Sequence, residues 1–155
     1  MAAQRRNRTR QKGIALVETV IVTPVLLFLI MLTAEITNAF VDHNTLTKHV
    51  RNGARFISTK SLSGTTGTVL LTAQLISDTR NLVVYGNPAG TGSPVLAGLA
   101  AGSVQVQDIG NRNVQVTVTY PYSGLLGGTL PSFGFGADNS LNLTLRATVV
   151  MPAIL

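Results

Sequence analysis

The chain has 155 residues, 45% of them hydrophobic, 12% charged and 5% aromatic, with 15 glycines, 6 prolines, no cysteine and a mean hydropathy of +0.34. That length holds one modest domain, the composition is too apolar for a disordered chain, and charged residues occur at about half their usual share in soluble domains. The absence of cysteine excludes disulfides, a thiolate nucleophile and a cysteine-ligated zinc site.

Charge is concentrated at the start. Arg5, Arg6, Arg8, Arg10 and Lys12 supply 5 of the 12 basic residues, and no acid lies among the first 13 positions. From Ile14 onward, 7 basic residues face 6 acidic ones, so the formal charge falls from +6 to +1. A basic arm of this kind can bind nucleic acid. Here it abuts a long apolar run, which favours anchoring on the cytoplasmic side of a membrane over nucleic-acid binding.

The run from Ile14 to Ala34 is 21 residues with a single charge, Glu18. As a helix it measures roughly 32 Å at about 1.5 Å per residue, which matches a hydrocarbon layer of roughly 30 Å. The basic residues before it place the amino terminus in the cytoplasm and the rest of the chain outside. A cleaved secretory signal fits poorly, because the apolar run is too long, Leu32 stands where a small residue is needed before cleavage at Ala34, and Glu18 interrupts the run. A twin-arginine address at Arg5-Arg6 is followed by polar and basic residues and has little support.

Glu18 needs an explanation, since a charge within a bilayer costs about 2.5 to 3.5 kcal/mol at the centre and less near an end. Cutting the chain between Gly13 and Ile14 creates an α-amino group one turn from Glu18, on the same copy or on a neighbour across a helix contact. The blander reading is an uncleaved single-pass anchor in which Glu18 snorkels to the interface. Pro24 frees the carbonyl of Val20 and introduces a helix kink.

Beyond Ala34 the helix is expected to continue to Ile57. Ile36, Phe40, His43, Thr47, Val50, Ala54 and Ile57 recur at steps of three and four and predict the inner face, with Asp42, Lys48, Arg51 and Arg55 opposite. Ser58 to Thr68 reads as a loop, and a second short helix is predicted from an N-cap at Thr68 to Asp78 or Arg80. Leu82 to Tyr85 reads as a short strand, followed by a Gly/Pro/Ser loop from Gly86 to Gly102.

Strict alternation then sets in. Val104 and Val106, and later Val114, Val116, Val118 and Tyr120, form apolar faces, and Gly110-Asn111 between them is turn chemistry, so the two runs pair as an antiparallel hairpin. After a second Gly-rich loop, Ser123 to Asn139, a last strand alternates Leu141, Leu143, Leu145, Ala147 and Val149 with polar residues. The fold class expected is α+β: a long amino-terminal helix, membrane-spanning in its first half, packed on a small three- or four-stranded antiparallel sheet. The domain plan is a leader over 1–13, a transmembrane helix over 14–34 and an extracytoplasmic head over 35–155 that includes the helix continuation 35–57.

No catalytic constellation stands out. His43 and His49 are six apart and on different helix faces, without the spacing of a helical metal pair. Neither a phosphate-binding Gly-x-x-x-x-Gly-Lys loop nor a Gly-x-Ser-x-Gly elbow occurs. No enzyme activity, metal or cofactor is therefore expected.

Lys12-Gly13-Ile14-Ala15-Leu16-Val17-Glu18, a basic leader closed by glycine with a glutamate at the fifth position after it, resembles the processing site of type IV pilins and pseudopilins. Pro24 within the span, Glu35 at its outer end, the Tyr120-Pro121-Tyr122 segment, the Gly-rich stretch after it and the closing Val149-Val150-Met151-Pro152 resemble the TadE-like minor pilins of tight-adherence (Flp-type) pili. The resemblance implies processing at Lys12-Gly13-Ile14 by a prepilin peptidase, pairing of Glu18 in assembly, and partnership with other pilin subunits and an inner-membrane assembly platform. It also implies an inner-membrane protein with a periplasmic head that joins an extracellular pilus. Thr19 departs from the tyrosine that usually follows the glutamate in major pilins, and the chain is longer than those subunits, so a minor role is expected.

Overall fold

The computed structural model describes residues 2–63, 68–125, 127–130, 132 and 136–154. Helix α1 covers Ala2–Lys60, strands β1 and β2 are Leu62–Ser63 and Thr68–Val69, and helix α2 covers Ala73–Tyr85. There follow a single 3₁₀ turn at Ala101–Ser103, β3 at Val104–Asp108, β4 at Asn113–Pro121, β5 at Thr129–Leu130, β6 at Asn139–Ser140 and β7 at Thr144–Pro152. The main sheet is antiparallel in the order β3-β4-β7, and the expected α+β architecture is what the chain adopts.

The hairpin forms where alternation predicted it, with Val104 opposite Val118 and Val106 opposite Val116. Its turn takes left-handed backbone at Gly110, Asn111 and Arg112, with φ of 84°, 52° and 58°, and Asp108 accepts the Gly110 N–H at 2.8 Å. Strand β7 pairs with β4 from Pro121 opposite Thr144 to Asn113 opposite Pro152. It therefore starts and ends three residues later than the alternation from Leu141 suggested. Leu143 stays just outside the ladder, where its carbonyl accepts the Tyr122 N–H at 2.9 Å.

One face of the sheet carries Val104, Val106, Val114, Val116, Val118, Tyr120, Leu145 and Ala147, all buried against the helices. The helices contribute Leu46, Val50, Ala54 and Ile57 from α1 and Val83 and Val84 from α2. At about 1.5 to 3 kcal/mol per buried aliphatic side chain, this Val- and Leu-rich core is the principal stabilising term of the head. Arg80 Nε donates to the Val104 carbonyl at 3.0 Å and ties α2 to the start of β3.

Two expectations for the segment after α1 are corrected. The second helix begins at Ala73, not after Thr68. Thr72 is its N-cap and accepts the Leu75 N–H at 3.2 Å, while Thr68 and Val69 pair with Ser63 and Leu62 instead. Leu82–Tyr85 is the last part of that helix rather than a strand. Burial of Val83 and Val84 against α1 overrides their β preference, and Gly86 closes the helix in left-handed backbone at φ 76°.

The predicted inner stripe of α1 holds only over its later part. Val50, Ala54 and Ile57 are buried and His43 and Thr47 half-buried, whereas Ile36 and Phe40 are 62% and 67% exposed. The head-facing stripe instead passes through Ala39 and ends on Glu35, because a strict three-and-four pattern drifts around a helix of 3.6 residues per turn. The helix also runs to Lys60, past the expected end at Ile57.

Candidate functional site: the uncovered helix and its junction with the head

From Ala15 to Ile30 no residue of α1 is buried. Leu16, Val17, Val20, Ile21, Val22, Val25, Leu26, Leu27, Leu29 and Ile30 are between 45% and 66% exposed. Runs such as 20–22 and 25–27 place apolar side chains all round the cylinder, and such a helix is stable only in lipid or among other helices. Among the described residues this is the one helix long and apolar enough to cross a membrane, and its most apolar window is not buried at all. Backbone polarity is contained internally. Thr19, Thr23, Thr33 and Thr37 each donate their hydroxyl to the carbonyl four residues back at 2.7 to 2.8 Å.

The predicted site residues all fall on this helix. Lys12, Gly13 and Ile14 lie on its continuous backbone, Glu18 is exposed one turn further on, and Pro24 sits within the helix without ending it. Around Pro24, Ala15, Thr19 and Thr23 line a shallow groove with Leu16 and Val20. Small side chains four apart let a second helix approach closely.

At the other end of the apolar stretch α1 meets the head through a cluster that sequence reasoning did not assemble. Glu35 is 4% exposed, and its carboxylate lies on Gly124, where a Cβ would stand 1.3 Å from Oε1. Its Oε2 is buried and has no hydrogen-bond partner. The Tyr122 hydroxyl donates to the Glu35 backbone carbonyl at 3.3 Å and accepts from Asn38 Nδ2 at 3.0 Å. Leu32, Ile36, Ala39, Leu141 and Leu143 surround the same place. An acid at the edge of an apolar run, flanked by Ala34 and Ile36, was the available signal. The glycine and tyrosine that house it lie far along the chain.

Burial pushes the Tyr122 phenol above its ordinary value of 10.0. The Asn38 hydrogen bond pulls it the other way, and Glu35 and Asp42 add to the rise. The folded state thus holds this proton more tightly than the unfolded chain does. The associated stability is complete below pH 10 and is lost as pH climbs through the raised value. In an ultraviolet titration, the phenolate signal absent from Tyr122→Phe should emerge above the ordinary tyrosine value; a midpoint at or below it would contradict this assignment.

The histidines do not converge. His43 is half-buried with its carbonyl accepting from Thr47 at 2.8 Å, and His49 has a buried Nδ1 without a partner. Among the described residues no group of three His, Cys, Asp or Glu is placed to hold a metal ion.

A single long, uncovered apolar helix leading into a small α+β head fits a membrane anchor. Residues 13–55, which contain the whole apolar stretch and the helical half of the junction, match the model of a family described as TadE-like protein, consistent with a TadE-like, pilus-associated protein. Such proteins are structural rather than enzymatic and interact with pilus components. Neither a curated protein nor a solved structure matches the chain.

Proposed function

We propose that the chain is a minor pilin-like subunit of a tight-adherence pilus or a related secretion filament. A prepilin peptidase cleaves it after Gly13 on the cytoplasmic side, and it assembles through its apolar helix while the head remains extracytoplasmic. The observation that carries this reading is the TadE-like match, which opens at Gly13 itself and runs through the uncovered helix. In the mature chain Ile14 carries the new ammonium group and Glu18 lies one turn away. Removing water strengthens their attraction, both within a copy and across a helix contact. The groove of Ala15, Thr19 and Thr23 supports close helix approach, and Pro24 supplies the kink that lets the helix bend in a filament.

Mass measurement of the amino terminus in protein purified from membranes tests the processing step. Retention of Met1 to Gly13 in cells with an active peptidase would leave an uncleaved, membrane-anchored periplasmic binding or scaffold protein as the function. Glu18→Ala tests assembly. It is expected to insert and be cleaved as usual, because the span becomes more apolar, yet to be depleted from sheared filaments. Wild-type abundance in that fraction would rule out pairing at Glu18.

A further inference from the structure

The head has a polar end and an apolar end, and the apolar one adjoins the span. Strand β4 runs back along α1: Asn113, at its start, pairs with Pro152, whose carbonyl accepts the Ser58 hydroxyl, while Tyr122, just past its end, bonds to Asn38 and Glu35. Tyr122, Gly124 and Leu125, which open the connection between β4 and β7, therefore lie at the Glu35 end of the helix. From Pro121 to Ala137 its sequence has no charged residue and includes Leu125, Leu126, Leu130, Phe133 and Phe135. The one charge between Tyr122 and Leu143, Asp138, accepts the Ser132 N–H at 2.8 Å. Lys60 and the Asp108–Arg112 turn lie at the opposite end.

Leu125 is 70% exposed, the highest value among the described large apolar side chains of the head, and it shares a groove with Leu26, Leu29, Ile30 and Thr33 of α1. A leucine held there by Gly124, which packs on Glu35, has no folding reason to stay uncovered.

We propose that Leu125, at the start of the β4–β7 connection, is a second membrane contact, inserted among the lipid acyl chains of the leaflet on the head side, beside α1. The inference rests on the reading of Ile14–Ala34 as a membrane span. Lipid is the occupant because the groove is continuous with helix surface that is apolar on every side and because the connection carries no cation or free acid to mark a protein contact. Glu35 is then roofed at the boundary by Gly124 and Tyr122, and the head is held at a fixed height and rotation above the bilayer instead of swinging on α1.

The chain lacks cysteine, so single-cysteine variants of the full protein report unambiguously. Leu125→Cys, Leu27→Cys and Gln107→Cys, each labelled with an environment-sensitive nitrobenzoxadiazole dye, are reconstituted in phosphatidylcholine/phosphatidylglycerol vesicles with and without spin-labelled acyl chains. The labels at 125 and 27 should both shift to the blue and lose intensity to the spin-labelled lipid, while the label at 107 should respond only to aqueous iodide. Lipid quenching at 27 with iodide quenching at 125 would overturn the inference and leave the span intact. A blue shift at 125 without lipid quenching, growing with the protein-to-lipid ratio, would mean that a second copy covers Leu125 and would equally overturn it. Loss of lipid quenching at 27 would overturn the span reading and the inference with it.

Discussion

Gly13→Val should leave the chain at full length in the membrane, with the shorter mature form missing even where the peptidase is active. The Gly13–Ile14 bond lies within the continuous helix α1, and a helical bond must be opened before it can be hydrolysed. Glycine opens more readily than valine by only a few tenths of a kcal/mol, so propensity alone cannot block the reaction. The decisive term is steric. A side chain branched at Cβ on the residue donating the scissile carbonyl occupies space that glycine leaves free, and a misplacement of about 1 Å in a reacting geometry can cost on the order of 100-fold. Without cleavage no ammonium forms beside Glu18, so the variant should also fail to enter filaments. Immunoblotting of membranes by size reads the first effect, and the sheared fraction reads the second. Normal processing of Gly13→Val would remove the proposed cleavage site.

Gly53→Ala should destabilise the head, although alanine is the better helix former. A Cβ at this buried position would stand 2.4 Å from Val83 Cγ2 and 3.5 Å from Thr79 Cγ2, where α1 and α2 are in contact. Val83 is fully buried and, being branched at Cβ on a helix, has essentially one rotamer, so it cannot swing aside. The helices must separate, an overpacking cost of typically 1 to 3 kcal/mol, set against roughly 0.5 to 1 kcal/mol gained in helix propensity. The difference is a net loss of up to about 2.5 kcal/mol, and Gly53→Leu should lose more. Gly102→Ala is the matched control, since a Cβ there meets nothing within 4 Å. Denaturant unfolding of the full chain in detergent, followed by circular dichroism, should separate the two variants; equal midpoints would mean that the helix contact is not tight at Gly53.

Much of the fold was legible because two signals in the chain are local. A run of apolar residues long enough to span a bilayer reports a helix without reference to the rest of the chain, and the α+β class followed from placing period-two valines after it. The hairpin of β3 and β4 was readable for the same reason: alternation fixes which side chains face the core, and Gly110-Asn111 allows the turn. The elements misread were those whose local signal was weak. Val83 and Val84 favour a strand in isolation and become helical by packing on α1, while Thr68 lost its capping role because its backbone found a partner in Ser63. The apolar stripe through Ile36 and Phe40 was real in the sequence, yet the head covers an adjacent sector of the helix and leaves both side chains outside.

What the amino-acid sequence determined by itself was therefore the apolar rod, its single acid at Glu18, the basic stretch before it and the alternating strands, since each depends on neighbours a few residues apart. The tertiary structure alone decided that Glu35 is buried on Gly124, that Tyr122 bonds to the backbone of Glu35 and to Asn38, and that Leu125 lies beside the apolar helix. These pairings join residues more than eighty positions apart in a chain of modest size, and no periodicity or propensity encodes which distant surface a helix face will meet.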